Sequence, residues 1–399
     1  MTETPWITIV GLGEDGPDGL APASLAALRS AEIIMGPPRH LALLPDVPAK
    51  RIEWPVPFAD GLDILEEFSG RPVVVLASGD PFWFGAGTVL ANRFGREALR
   101  VFPGPSTFSR AAARMGWALE KTVCLGLHAA PLARMRPYLH NGAHLLVTLR
   151  DGAAVAQLCD YLADTGFGTS VVTVMEALGG PSERVTEMQA DTPSGDPWSH
   201  PVCAAIAVSG SGAVVPSCSG LPDALFETDG VMTKRAVRAM TLSALAPCPG
   251  EVLWDIGGGS GSVAVEWLLA HNRCDAFTIE PRADRIALIR ANAAALGAER
   301  LNVIEGTAPE ALSGLPVPDA VFIGGGLTAA LLEALKELLP SGTRLVANAV
   351  TMEAEALLVG LHAEKGGDLL RLELSSAKAL GTKRGWDTAY PVVQWSGRL

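Results

Sequence analysis

Four glycine-centred loops carry the residues of this chain whose types and spacing could do chemistry: Gly11 to Gly13, Ser78 to Phe82, Pro103 to Thr107, and Asp255 to Gly261. The first three follow short apolar runs in the N-terminal half, and the fourth, Asp255-Ile256-Gly257-Gly258-Gly259-Ser260-Gly261, follows one in the C-terminal half. Glycines let a backbone turn tightly from a strand into a helix, here Ser262 to Ala270, with amide N–H groups facing a ligand. Nineteen residues past Gly261, Glu280 ends the next apolar run, where a carboxylate can accept hydrogen bonds from both hydroxyls of a ribose. Its alternative is to cap a helix starting at Pro281. Asp80 could likewise be a turn residue before Pro81, and Ser106 a helix N-cap. Two unrelated loop sets on one polypeptide predict two separate cofactor sites.

Holding these loops in place requires two α/β units. The 399 residues exceed the length at which one core stops growing, so the expected division is residues 1–220 and 221–399. In the first half, strand candidates at Ile7 to Val10, Val73 to Ala77, His144 to Leu149, Ser170 to Met175 and Ala204 to Val208 alternate with helical stretches such as Ala23 to Ala31. Ser209 to Gly220 is small, polar and turn-rich, as expected of a linker or loose segment. The second half opens with a helix candidate, Thr233 to Leu245. Strands at Val252 to Asp255, Ala276 to Glu280, Asn302 to Glu305, Ala320 to Ile323 and Arg344 to Ala347 then alternate with helices, which predicts a doubly wound sheet. Strand candidates Leu369 to Leu374 and Ala389 to Trp395 have no helix between them and predict an antiparallel hairpin, its loop holding Lys378, Lys383, Arg384 and Trp386.

Composition excludes several function classes. A formal net charge of −12 speaks against a nucleic-acid partner, while a few converging cations can still hold an acidic small molecule. No run reaches membrane-spanning length without a charge, glycine or proline, and the first residues lack the pattern of a signal peptide, so no membrane partner and a cytoplasmic location are expected. Cys124, Cys159, Cys203, Cys218, Cys248 and Cys274 form no C-x-x-C pair, so free thiols and no metal site are expected.

A dinucleotide fingerprint from Gly257 needs glycine at 262, where this chain has serine. The acid-first form D-x-G-x-G-x-G instead resembles the class I methyltransferases that bind S-adenosylmethionine. That resemblance implies cofactor contacts from Asp255, Gly257, Gly258, Gly259, Ser260, Gly261 and Glu280, from Gly306, Thr307 and Ala308 after the third strand, and from Thr233 at the domain entry. Thr307 stands where that family has an acidic residue. Gly324-Gly325-Gly326 replaces the [D/N]-P-P-[Y/F] element of nitrogen methylases, which points to carbon as the acceptor.

Val10-Gly11-Leu12-Gly13, Leu76-Ala77-Ser78-Gly79-Asp80-Pro81-Phe82 and Phe102-Pro103-Gly104-Pro105-Ser106-Thr107 together resemble the tetrapyrrole methylases, with Glu14-Asp15-Gly16 in place of the usual Pro-Gly. This implies a two-lobed α/β domain with S-adenosylmethionine in the cleft, touched by Gly11, Gly13, Ser78, Gly79, Asp80, Phe82, Ser106 and Thr107. The chain as a whole is similar to the fused, decarboxylating precorrin methyltransferases of cobalamin biosynthesis. That likeness implies a tetrapyrrole substrate, methylation at C5 by the first domain, and methylation at C15 with loss of carbon dioxide from the C12 acetate by the second, taking precorrin-6B to precorrin-8. Lys234, Lys378, Lys383, Arg384 and Asn348 are the catalytic candidates. Arg235 and Arg238 join these cations as carboxylate contacts, and Trp83, Trp386 and His128 could face the macrocycle, although each could equally be an ordinary surface or packing residue. A homo-oligomer is the expected assembly. Another S-adenosylmethionine-dependent carbon methylase with one active domain, or a tetrapyrrole carrier without turnover, stays open at this level.

Overall fold

The computed structural model describes residues 5–194 and 197–399. The chain separates into two compact units, Met1–Leu132 with Leu139–Ala213, and Ala133–Tyr138 with Val214–Leu399.

In the first unit the strands β1 (Ile7–Leu12), β2 (Ile33–Gly36), β3 (Lys50–Glu53), β4 (Val73–Ser78) and β5 (Leu99–Phe102) form a parallel sheet of order β3-β2-β4-β1-β5. Helices α1 (Pro22–Ser30), α2 (Pro38–Ala42), α3 (Phe58–Glu66) and α4 (Gly87–Phe94) connect these strands. β1 and β4 are apolar almost throughout and buried on both faces, as parallel strands between helices must be. A second lobe follows α5 (Thr107–Met115). Its strands β6 (Val123–Gly126), β7 (His144–Thr148), β8 (Val171–Glu176), β9 (Arg184–Gln189) and β10 (Val202–Ala207) form a mixed sheet of order β6-β7-β10-β8-β9, with α6 (Ala153–Asp164) between β7 and β8. The five strands expected from sequence correspond to β1, β4, β7, β8 and β10, the last three candidates overrunning the observed strand by one residue at one end. Sequence reading passed over β2, β3, β5 and β6 because each has only four residues, and β9 because its side chains are mostly exposed and polar.

The second unit holds α7 (Arg235–Leu245), β11 (Val252–Ile256), α8 (Ser262–Ala270), β12 (Asp275–Glu280), α9 (Ala283–Leu296), β13 (Asn302–Glu305), β14 (Ala320–Ile323), α10 (Ala329–Leu338), β15 (Arg344–Ala349) and α11 (Met352–Lys365). They are followed by β16 (Asp368–Leu372), β17 (Ser375–Leu380), β18 (Lys383–Thr388) and β19 (Val392–Arg398). Seven strands make a sheet of order β13-β12-β11-β14-β15-β19-β16, parallel from β13 to β15 and antiparallel at β19. The topology reverses beside β11, so its carboxyl end faces the crevice where such sheets take ligands.

The C-terminal pair differs from a simple hairpin. β16 and β19 are antiparallel neighbours as expected, but β19, with Val393, Gln394 and Trp395 buried, sits inside the sheet and leaves the half-exposed β16 as the edge. The intervening residues are not a loop: β17 and β18 form a separate, exposed two-stranded ribbon. Nor is Ser209 to Gly220 loose. Ser209 N donates to Ser170 Oγ at 3.0 Å, Val215 is buried in the second unit's core, and Gly220 N donates to the buried Glu266 carboxylate at 2.7 Å.

Candidate functional site

The three N-terminal glycine loops sit side by side at the carboxyl ends of β4, β1 and β5 and are bonded to one another. Gly79 N donates to Leu12 O and Gly104 N to Gly79 O, both at 3.0 Å. A Cβ on Gly11 would lie 1.8 Å from the Gly79 oxygen and 2.5 Å from Gly104 N, so Gly11 is required for the loops to close on one another. Together they open into a cavity of about 770 Å³ within the first unit.

Gly13, Ser78, Gly79, Asp80, Ser106 and Thr107 line this cavity; Gly11 and Phe82 do not. Phe82 is half exposed, and its amide donates to Asp80 Oδ1 at 2.9 Å, so one Asp80 oxygen is used in the turn. Ser106 caps α5, accepting from Ser109 N at 3.0 Å, and also lines the cavity. Trp83 lies on the wall, tilted against Phe108 with ring centroids 5.7 Å apart. His128 is also there, its Nδ1 3.0 Å from Thr148 Oγ1, and burial holds its pKa below the usual histidine range.

Sequence reading assigned no site role to Glu14, Arg39, His40, Arg110, Thr148 and His200, polar residues that also line this wall. Glu14 pairs with Arg39, and Asp15 with Arg110 at 2.6 Å, so the two acids that replace Pro-Gly each brace an arginine. That replacement was the available signal. His40 is 2% exposed, and its burial, together with the Arg39 charge, pushes its pKa down to about 3.

The second unit has its own cavity of about 410 Å³ over the carboxyl ends of β11 and β12. Thr233, Asp255, Gly257, Gly258, Gly259, Ser260, Glu280, Gly306, Thr307 and Ala308 all line it, as do Gly324, Gly325 and Gly326. Gly261 does not; with φ of +74° and Ile289 where a Cβ would be, it makes the sharp entry into α8. Glu280 is 2% exposed, and each of its oxygens holds a backbone amide, Oε2 that of Gly259 at 3.0 Å and Oε1 that of Arg282 at 3.1 Å. Neither amide lies inside α9, whose N-cap Arg282 has no side-chain cap, so Glu280 does not cap that helix; it lines the cavity instead. Asp255 accepts from Thr278 Oγ1 at 3.0 Å, and burial, opposed by that bond but aided by the Glu280 charge, raises its pKa to about 6.

The expected catalytic group is not gathered here. Lys378, Lys383 and Arg384 lie on the exposed ribbon with Trp386, which is 78% exposed, and Lys378 pairs with Asp387; none lines the cavity. Asn348 is tied to Thr241 and Gln394 at 2.9 and 2.8 Å, and also lies off the lining. Lys234 is an exposed N-cap next to Thr233, and Arg235 donates to Gly220 O at 2.9 Å. Arg238 cannot meet a substrate: it is fully buried and bound to Glu266, Asp223, Thr233 O and Leu221 O. Among the described residues the six cysteines are free thiols, no His, Cys, Asp and Glu group suits a metal, and no helix is long and apolar enough to cross a membrane.

Comparison with known proteins matches residues 7–193 to the tetrapyrrole (corrin/porphyrin) methylases and residues 224–398 to the precorrin methyltransferase domain. A precorrin-6Y C(5,15)-methyltransferase [decarboxylating] from Sinorhizobium sp is 47% identical over 399 residues, 98% of this chain and 96% of the relative. The protein so named from Mycobacterium tuberculosis H37Rv is 38% identical over 393 residues, covering 98% of this chain and 99% of the relative. The crystal structure of the C-terminal domain of precorrin-6Y C5,15-methyltransferase from Rhodobacter capsulatus is 54% identical, covers 46% of this chain and all of that one, and superposes with a TM-score of 0.45. With both domain families in order and full-length relatives at this identity, the chain belongs to the precorrin-6Y C(5,15)-methyltransferase (decarboxylating) family.

Proposed function

We propose that this protein methylates a precorrin macrocycle twice with S-adenosylmethionine, at C5 in the N-terminal unit and at C15 in the C-terminal unit, the latter also releasing carbon dioxide from the C12 acetate. The observation that carries the reading is the pair of separate glycine-lined cavities, one beside a buried carboxylate suited to a ribose.

The chemistry asks little of acid or base groups. A meso carbon of a reduced tetrapyrrole is enamine-like and already nucleophilic, so the protein's task is to align it with the sulfonium methyl and exclude water. When the acetate loses carbon dioxide, the bond electrons enter the conjugated ring, and the protein tunes the field at the departing carboxylate. The glycine edge at Gly324 to Gly326 leaves room beside the second cofactor site for a carbon acceptor. Lys234, next to the lining residue Thr233, is the proposed carboxylate contact at its entry, and Lys378, Lys383 and Arg384 would reach the same arm from the ribbon.

Calorimetric titration of the whole chain with S-adenosylmethionine should give a stoichiometry near two. Incubation with precorrin-6B and labelled cofactor should give a product heavier by two methyl groups and lighter by one carbon dioxide. One site, or methylation without gas release, would overturn the assignment.

A further inference from the structure

The N-terminal cavity carries a polar cluster that its glycine loops do not explain. Glu14 follows β1, Arg39 and His40 follow β2, and Ser78 ends β4, so three neighbouring strands deliver them to one edge. The Glu14 and Arg39 side chains are 16% and 29% exposed and pair with each other on the wall. Arg39 Nη2 lies 2.9 Å from His40 Nε2 and 3.2 Å from Ser78 Oγ, which is itself 3.1 Å from the same ring nitrogen. A guanidinium only donates, so Nε2 accepts, the ring proton sits on Nδ1, and the imidazole is neutral. Burial at 2% exposure, reinforced by the Arg39 charge, keeps it so at neutral pH. His40 therefore fixes the direction of Arg39 without adding charge.

Charge decides which ligand the cluster fits. It holds one anion, one cation and two neutral groups. A lone carboxylate would gain from Arg39 and lose to Glu14 by a similar amount. A zwitterion with ammonium and carboxylate on one carbon meets both, exchanging one internal ion pair for two with the ligand and adding the Ser78 hydroxyl.

We propose that Glu14, Arg39 and Ser78 seat the α-amino-acid end of S-adenosylmethionine in the N-terminal cavity, with His40 as a positioning residue. The inference rests on the proposal above that this cavity holds the cofactor.

The test uses the full chain and two probes: S-adenosylhomocysteine, and methylthioadenosine, which keeps the nucleoside and thioether but lacks the amino acid. In wild type, S-adenosylhomocysteine should fill two sites. In Arg39→Met and Glu14→Gln its affinity at one site should fall by about 10- to 100-fold, the loss expected for charge-assisted hydrogen bonds, with methylthioadenosine affinity unchanged at both. Equal loss for both probes, or no loss for either, would overturn the inference. So would intact S-adenosylhomocysteine affinity with a raised KM for the macrocycle, since that would make Arg39 a substrate contact. A wild-type stoichiometry of one would instead reject the two-site reading, and this inference with it if the surviving site ignores Arg39.

Discussion

Glu280 and Asp255 show how burial turns ordinary carboxylates into site residues. Glu280 is out of solvent, and both oxygens already accept backbone amides, so it is oriented before any ribose arrives. Glu280→Gln keeps the shape but replaces one acceptor by a donor and removes the charge. The expected outcome is a weakening of cofactor binding by about 10- to 100-fold at one of the two sites, read by calorimetry, with the other site unmoved. Asp255 makes a pH-dependent contribution. Its folded pKa of about 6 lies above the ordinary value of 3.8, so the native state binds the extra proton and the associated stability is present below about pH 4 and lost as pH rises through 6. Asp255→Asn abolishes that titration. The melting temperature of the variant relative to wild type should therefore climb between pH 4 and 6 and level off above; a difference independent of pH would show that Asp255 does not carry the raised pKa.

At the scale of elements, the ribbon of β17 and β18 is predicted to act in decarboxylation and not in cofactor binding. Its cations do not line the second cavity, and its side chains are exposed almost throughout. Replacing Lys378, Lys383 and Arg384 together by alanine should leave both cofactor affinities unchanged. Carbon dioxide release should slow more than methyl transfer, because only that step needs the acetate arm held with its breaking bond aligned to the ring. Equal slowing of the two, measured by gas evolution against product mass, would remove the ribbon from the decarboxylation step. The buried Arg238 and Glu266 pair plays a different part. It holds Gly220, Leu221 and Thr233 through their backbones, which fixes the strand of chain that ends at the cavity wall.

At the scale of the whole molecule, the two units are predicted to work apart. A fragment of residues 1–213 and one of residues 214–399 should each bind one equivalent of S-adenosylmethionine, and only the second should release carbon dioxide from the substrate. The start of the second fragment matters. A version beginning at Leu221 loses Val215 from the core and the Gly220 amide from Glu266. Leaving a buried carboxylate short of a donor costs about 1–3 kcal/mol, so that fragment should melt several degrees lower than the one beginning at Val214. Equal melting temperatures would show that residues 214–220 contribute nothing to the second unit. The proposed homo-oligomer is tested on the full chain by sedimentation velocity against the 41.6 kDa monomer mass.

By itself the sequence determined the α/β class, the two glycine-loop sets, the acid ending β12 and the doubly wound order of the second unit. Those features are local: a loop needs its glycines where it turns, and a parallel strand must be apolar along its own length. Almost every loop residue expected at the second cavity lines it, because one βαβ unit and its neighbours place them by chain order alone. Tertiary structure decided what depends on residues far apart in the chain. Arg238 reads as a surface cation until Glu266, in the centre of an apolar helix, is found beside it. Lys378 and its neighbours read as a loop over the site until β19 enters the sheet and turns their segment into an outlying ribbon. His40 and Arg39 carry no motif of their own. They meet Glu14 and Ser78 only because β2, β4 and β1, separated in sequence by whole helices, lie side by side in the sheet. Pairing of charges across such distances is set by packing, which no local pattern of residue types encodes.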